Sequence, residues 1–173
     1  VHGVIGVNPE IAKLVSHDNE KFNNKITKII SIAPFFDEEQ FLTFSTTQNK
    51  QNFFLKNFNI KLTPKAPIIT SVGNFYPCKN HGVLLQAVST IIHEHKQPVE
   101  VMLAGIGVNM APMKQLAKEL KIDNFVHFLD YTELVPELLY HSDIKVLTSY
   151  EDSFPIAVME AAVGKRKLIR ALA

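Results

Sequence analysis

From residue 67 onward, short β-rich runs alternate with amphipathic helical runs, and this alternation constrains the fold more than any other feature. PIITSVG reads as a strand, rich in Ile and Val and bounded by Pro67 and Gly73. HGVLLQAVSTIIHEH follows as a helix, with Leu84, Leu85, Val88, Ile91 and Ile92 on one stripe. VEVMLAG, NFVHFLD, DIKVLTS and KLIRA read as four more strands, and APMKQLAKELKI, TELVPELLYHS and FPIAVMEAAV as the helices between them. Pro136 fits the first turn of its helix. Such alternation predicts an α/β fold, a doubly wound parallel sheet with helices on both faces. Ligands of such sheets bind beyond the carboxyl ends of the strands, which directs attention to residues 73–81, 104–111, 129–133 and 149–155.

Residues 1–66 follow a different pattern. VHGVIGVN reads as a strand, Asn8-Pro9-Glu10 as a helix start capped by Asn8, and KITKIISIAP as another strand. Seven of the twelve phenylalanines then lie between residues 35 and 58. That density predicts a packed connector over 35–66 with a short helix near 48–58. The chain begins abruptly in one strand and ends in or just after another, as a piece of something longer would.

Composition excludes several classes. A formal net charge of +1 supplies no field for nucleic acid or an anionic membrane. The single cysteine, Cys78, cannot form an internal disulfide and fits a reducing compartment. No apolar run approaches a membrane span, and the N-terminus lacks the pattern of a signal peptide. No D-x-D pair is present for a divalent metal, and HEHK is not a zinc-binding HExxH.

Two glycine-bearing loops stand out. In VGNFYPCKNHG, Lys79 lies in the loop before a helix, where a lysine can reach a phosphate or can simply be solvated. His81 beside it is the one histidine to watch. In LAGIGVNM, Gly105 and Gly107 follow a strand, and Asp130 ends the next one. This is roughly the spacing of a dinucleotide fold, but Met110 occupies the position of the third glycine. Two glycines turning a corner explain the loop better.

The stretch SYEDSFPIAVMEAAVG carries a lone carboxylate, Glu160, in an otherwise apolar helix. Pro155 fits a first helical turn, and Glu160 lies about a turn and a half further on. The apolar neighbours predict a helix buried on most sides, so the carboxylate needs strong donors, such as the two hydroxyls of a ribose. The alternative is a narrow exposed strip.

In order, GNFYPCK, AGIG, VHFLD and SYEDSFPIAVMEA resemble motifs of the group 1 (family 4) glycosyltransferases of the GT-B fold. These motifs are a GR….K loop, an AG.G loop, a V.FLG strand and the E-x7-E segment. The likeness is collinear from about residue 67 to the end, so residues 67–173 resemble the Rossmann-like donor domain, truncated at its C-terminus. VIGVNPEIAKLV and ITKIISIAPFFDEEQF are similar to the segment that closes that family's N-terminal domain, so residues 1–34 resemble its final strand–helix–strand.

The resemblance implies that a retaining enzyme moves a sugar from a UDP-, GDP- or ADP-linked donor to a glycan, lipid or protein acceptor, without a metal or other cofactor. By the same resemblance Lys79 binds the diphosphate, Glu160 holds the ribose and Asp152 contacts the transferred sugar. Gly73, Asn74, Gly105 and Gly107 line the donor site, Leu129 and Asp130 face the base, and the amide of Phe154 faces the diphosphate. The missing N-terminal domain is implied as a partner, so the fragment alone should be inactive. The expected location is the cytoplasm, or the inner face of a membrane as a peripheral protein.

Several positions depart from the family pattern. Asn74 replaces the arginine of the GR loop, Asp152 the first glutamate, Ser153 the next glycine, and Asp130 the glycine after V.FL. Gly164 is shifted by one position, and Lys167 stands where the family has proline. These changes admit a rival, a catalytically inactive nucleotide-binding or interaction domain of the same fold. A second rival is an NAD-dependent oxidoreductase module resting on Gly105, Gly107 and Asp130.

Overall fold

The computed structural model describes residues 4–6, 9–21, 29–31, 39–42, 44, 46–150, 156, 159–160 and 167–170. Contacts divide the chain into two units, the first holding the N-terminal residues to Asp37 and the second most of the remainder. In the first unit, β1 (Val4–Gly6), α1 (Pro9–Lys21) and β2 (Ile29–Ser31) form a strand–helix–strand, with β1 and β2 parallel. Pro9 is the first helical residue, where its missing N–H costs nothing. Asn8 lies outside the described residues.

The second unit is built on one parallel sheet. Its strands are β3 (Ile68–Val72), β4 (Glu100–Ala104), β5 (Val126–Phe128), β6 (Ile144–Leu147) and β7 (Lys167–Arg170), in the order β5-β4-β3-β6-β7. Between them run α4 (His81–His93), α5 (Met110–Glu119) and α6 (Val135–His141), and before them α2 (Glu39–Leu42) and α3 (Lys50–Phe58). Helix α3 lies within the expected stretch, whereas α2 is an additional short helix. Pro136 is in the first turn of α6, as its fixed φ favours.

Period-two alternation along the strands builds two cores. Ile69, Val101, Leu103 and Val146 pack with Leu84, Leu85 and Val88 of α4 and Ala117 of α5. The intervening Ile68, Met102 and Ala104 pack instead with Phe53 and Phe54 of α3 and Leu138 of α6. Both faces are therefore covered, which explains the nearly continuous apolar strands. The chain winds outward from β3 to β5, then crosses back to β6. The order reverses between β3 and β6, so the topological switch point lies between the loops that follow those two strands.

Candidate functional site: the carboxyl edge of the sheet

Backbone hydrogen bonds join the loops after β3, β4 and β5 into one surface. Gly73 N donates to Ala104 O (2.9 Å), Phe75 N to Ile106 O (2.8 Å) and Asn109 N to Phe75 O (3.0 Å). Gly105 N donates to Asp130 O (2.8 Å), and Leu129 N to Leu103 O (2.9 Å). Gly105 and Gly107 allow this close approach. Their φ values are +145° and +151°, and a Cβ would lie 2.2 Å from Gly73 O at the first and 2.6 Å from Phe75 O at the second. Gly73 differs, because a Cβ there meets nothing within 4 Å among the described residues. Among the described residues, its missing side chain leaves the edge open at the switch point.

The loop after β6 is tied to the same surface. Thr148 Oγ1 donates to Lys79 O (2.8 Å), and Tyr150 N to Cys78 O (3.2 Å). Lys79 ends a 3-10 turn, Pro77–Lys79, and Asn80, in left-handed conformation, leads into α4. Asn74 is exposed. Asp130 also adopts a left-handed conformation, with φ +55°. Aspartate tolerates this region better than most residues, so it can serve a backbone position that a glycine would otherwise fill.

His81 is not a cation at this edge. It is buried and stacked on Phe75, with ring centroids 4.3 Å apart. Burial, and secondarily the charge of Lys79, lower its pKa to about 4, so the ring is neutral at pH 7. Asp152, Ser153, Phe154, Pro155 and Gly164, all part of the sequence reading, lie outside the described residues.

Glu160 is described, and its surroundings add a charged neighbour to the sequence reading, which expected strong donors for this carboxylate. Glu160 Oε2 lies 3.9 Å from Nζ of Lys145 in β6, so the protein itself supplies an opposite charge. Burial raises the Glu160 pKa, and Lys145 partly offsets the rise. Of the helix's described residues, Met159 is exposed and Ile156 and Glu160 are half-buried. Sequence reasoning missed Lys145. The available signal was a lysine at the centre of the strand DIKVLTS, flanked on both sides by β-branched residues.

The dinucleotide alternative loses its defining geometry. Its glycine-rich turn should follow the strand at the switch point. Gly105 and Gly107 follow β4, one strand away. A cavity of about 660 Å³ lies at the opposite end, where Pro67 and Asp143 precede β3 and β6 and Lys50 pairs with Asp143 at 2.9 Å. It is remote from the loops of the carboxyl edge.

The fold and this edge define a Rossmann-like α/β protein that presents loops from four adjacent strands at a switch point. The model of the "Glycosyl transferases group 1" family matches residues 53–165, about two thirds of the chain, and the chain belongs to that family. Among curated proteins it is 29% identical over 156 residues to N-acetyl-alpha-D-glucosaminyl L-malate synthase of Bacillus anthracis, covering 88% of this chain and 39% of that protein. It is 29% identical over 165 residues to N,N'-diacetylbacillosaminyl-diphospho-undecaprenol alpha-1,3-N-acetylgalactosaminyltransferase of Campylobacter jejuni, covering 95% of this chain and 41% of that protein. The chain thus spans about two fifths of the length of these relatives. The solved structure of Anabaena Alr3699/HepE in complex with UDP-glucose superposes with a TM-score of 0.75 at 16% identity, covering all of this chain and 45% of that one. That of the lipopolysaccharide glycosyltransferase WaaG gives 0.73 at 14% identity, covering 96% and 43%. These likenesses show a shared fold.

Proposed function

We propose that this chain is the donor-binding, C-terminal half of a retaining family 4 glycosyltransferase. The observation that carries the reading is the carboxyl edge itself, where loops after four strands are hydrogen-bonded together and, among the described residues, Gly73 leaves open space at the switch point. A nucleoside diphosphate sugar matches the chemistry of that edge. Lys79, just before α4, would meet the diphosphate, and Glu160 would accept the ribose hydroxyls. Gly73, Asn74, Gly105 and Gly107 would allow the donor to approach backbone closely, and Leu129 and Asp130 would face the base. Asp152 and the amide of Phe154 complete the proposed set. The UDP-glucose in the Anabaena neighbour supports this class of ligand.

In the proposed reaction the bond between the anomeric carbon and the diphosphate oxygen breaks, and the nucleoside diphosphate leaves with the electron pair. The acceptor oxygen bonds to that carbon on the same face and releases its proton. Lys79 would stabilise the charge developing on the leaving diphosphate, with no metal required of the protein. Glu160 and Asp152 would orient the donor. The acceptor, a glycan, lipid or protein, would be met by an N-terminal domain of which residues 1–34 form the last part. The residues between that part and the sheet would be the connector. Turnover would require the full two-domain enzyme, placed in the cytoplasm or against the inner face of a membrane. No described helix is long and apolar enough to cross a membrane.

Calorimetric titration of the chain with UDP, GDP and ADP tests the reading. One nucleotide should bind, and Glu160→Ala should weaken it about ten- to a hundredfold, the worth of hydrogen bonds to a charged group. Binding of none of the three, or binding indifferent to Glu160, removes the proposal. Asn74 favours a second reading, an inactive nucleotide-binding or interaction domain, because a fixed cation is absent from the proposed diphosphate site. Sugar transfer by the full-length parent would exclude it.

A further inference from the structure

Lys145 has the features of a functional lysine, although it lies in the middle of a strand. Its side chain is 1% exposed, and its Nζ has no hydrogen-bond acceptor among the described residues. Ile144 and Val146 on either side pack into the α4–α5 core, so alternation directs Lys145 to the opposite face. On that face β3 places Thr70 beside it, with the Thr70 hydroxyl bonded to Ser142 at 2.5 Å. On β7 the paired residue is Leu168, in a strand that also carries Lys167 and Arg170. Helix α6 carries Glu137 and His141, and His141 stacks on Phe53. Among the described residues, Glu160 is the one carboxylate within ion-pair distance of Nζ.

A buried ammonium costs free energy unless opposite charge compensates it. At 3.9 Å the pair is attractive without a hydrogen bond that would hold the carboxylate, and the Glu160 side chain remains 17% exposed. Oε2 faces the lysine, and Oε1 has no partner among the described residues. Burial lowers the Lys145 pKa to about 8, with Glu160 opposing the shift, so the lysine is charged at neutral pH.

We propose that Lys145 is a positioning residue for nucleotide binding: from within the sheet it keeps Glu160 ionised and leaves one carboxylate oxygen to accept ribose hydroxyls, without touching the nucleotide. The inference rests on the reading of Glu160 as the ribose-binding residue. Removing the ammonium lets burial raise the carboxyl pKa further, and a protonated carboxyl accepts hydroxyl donors poorly.

The test is calorimetric titration of the full chain with UDP and with 2′,3′-dideoxy-UDP across about pH 5 to pH 9, on wild type and Lys145→Met. The variant should lose UDP affinity at higher pH than wild type does, about tenfold for each pH unit below the raised carboxyl pKa. The dideoxy nucleotide, which offers Glu160 no ribose hydroxyls, should show no difference between the two proteins. Identical pH profiles with UDP overturn the inference. An unchanged UDP affinity in Glu160→Ala instead overturns the ribose reading, and this inference with it. A carbon-13 NMR titration of the lysine side chains decides the matter even if Lys145→Met fails to fold. The Lys145 resonance, identified by its loss in Lys145→Arg, should titrate below the bulk lysines and lower still in Glu160→Gln. Titration with the bulk lysines in both proteins overturns the inference.

Discussion

At the scale of single residues, the carboxyl edge is shaped by what is missing as much as by what is present. Gly105 sits at a φ that side chains rarely adopt, with the Gly73 carbonyl where its Cβ would lie. Gly105→Ala should destabilise the fold by about 1–3 kcal/mol, the cost of a strained backbone, and weaken nucleotide binding. Urea denaturation and nucleotide titration check the two effects. Gly73→Ala should behave differently, because no described residue lies within 4 Å of the added methyl. Stability should stay within about 0.5 kcal/mol of wild type, as for a surface change, while binding falls. Equal stability losses at the two glycines would show that Gly73 serves packing.

At the scale of elements, the chain from α3 to β3 is pinned to the sheet in two ways. Phe53 and Phe54 of α3 are buried against β3 and β4, with Phe58 packed beside them, which accounts for three of the seven phenylalanines between residues 35 and 58. Phe54→Ala should cost about 3–5 kcal/mol of stability, measured by thermal or chemical denaturation. Further along, the buried Glu100 of β4 accepts from Thr63 N at 2.7 Å and from His127 Nε2 of β5 at 2.7 Å. Burial alone would raise the Glu100 pKa, but hydrogen bonds from His127 and Thr63 outweigh it and the net shift is downward. A depressed folded pKa contributes stability above the unfolded value of 4.5, and that contribution is lost as pH falls through the folded value. Wild type should therefore lose stability below pH 4.5 more steeply than Glu100→Gln, a difference that denaturation across acid pH would reveal. The pattern of strands and helices made these elements legible. The Glu100 clasp was not, because its partners are 37 and 27 residues away.

At the scale of the whole sheet, reversal of the strand order between β3 and β6 places the candidate site. Two contacts, Thr148 to Lys79 and Tyr150 to Cys78, close the two sides of that reversal. Thr148→Val removes the first while keeping the volume. It should cost about 1 kcal/mol of stability, the net worth of one hydrogen bond, and weaken nucleotide binding by loosening the loop around Lys79. Amide exchange should show faster opening at Lys79 and Tyr150 in the variant. Unchanged exchange there would mean that the loops hold their positions independently.

The sequence by itself determined the α/β class, the parallel sheet with both faces covered, the stripe of α4 and the ordered motifs of a group 1 glycosyltransferase. These depend on local periodicity and on the residues that start and stop elements, both of which are written in consecutive positions. Only the tertiary structure decided which loops meet, that Gly105 needs its missing side chain because Gly73 O lies beside it, and that His81 is a neutral core residue. It also decided that the lone carboxylate of SYEDSFPIAVMEAAVG faces Lys145. Each depends on strand order and on burial, and neither is carried by neighbouring residues. A lysine in an apolar strand looks like an exception until the fold brings an opposite charge within reach of it.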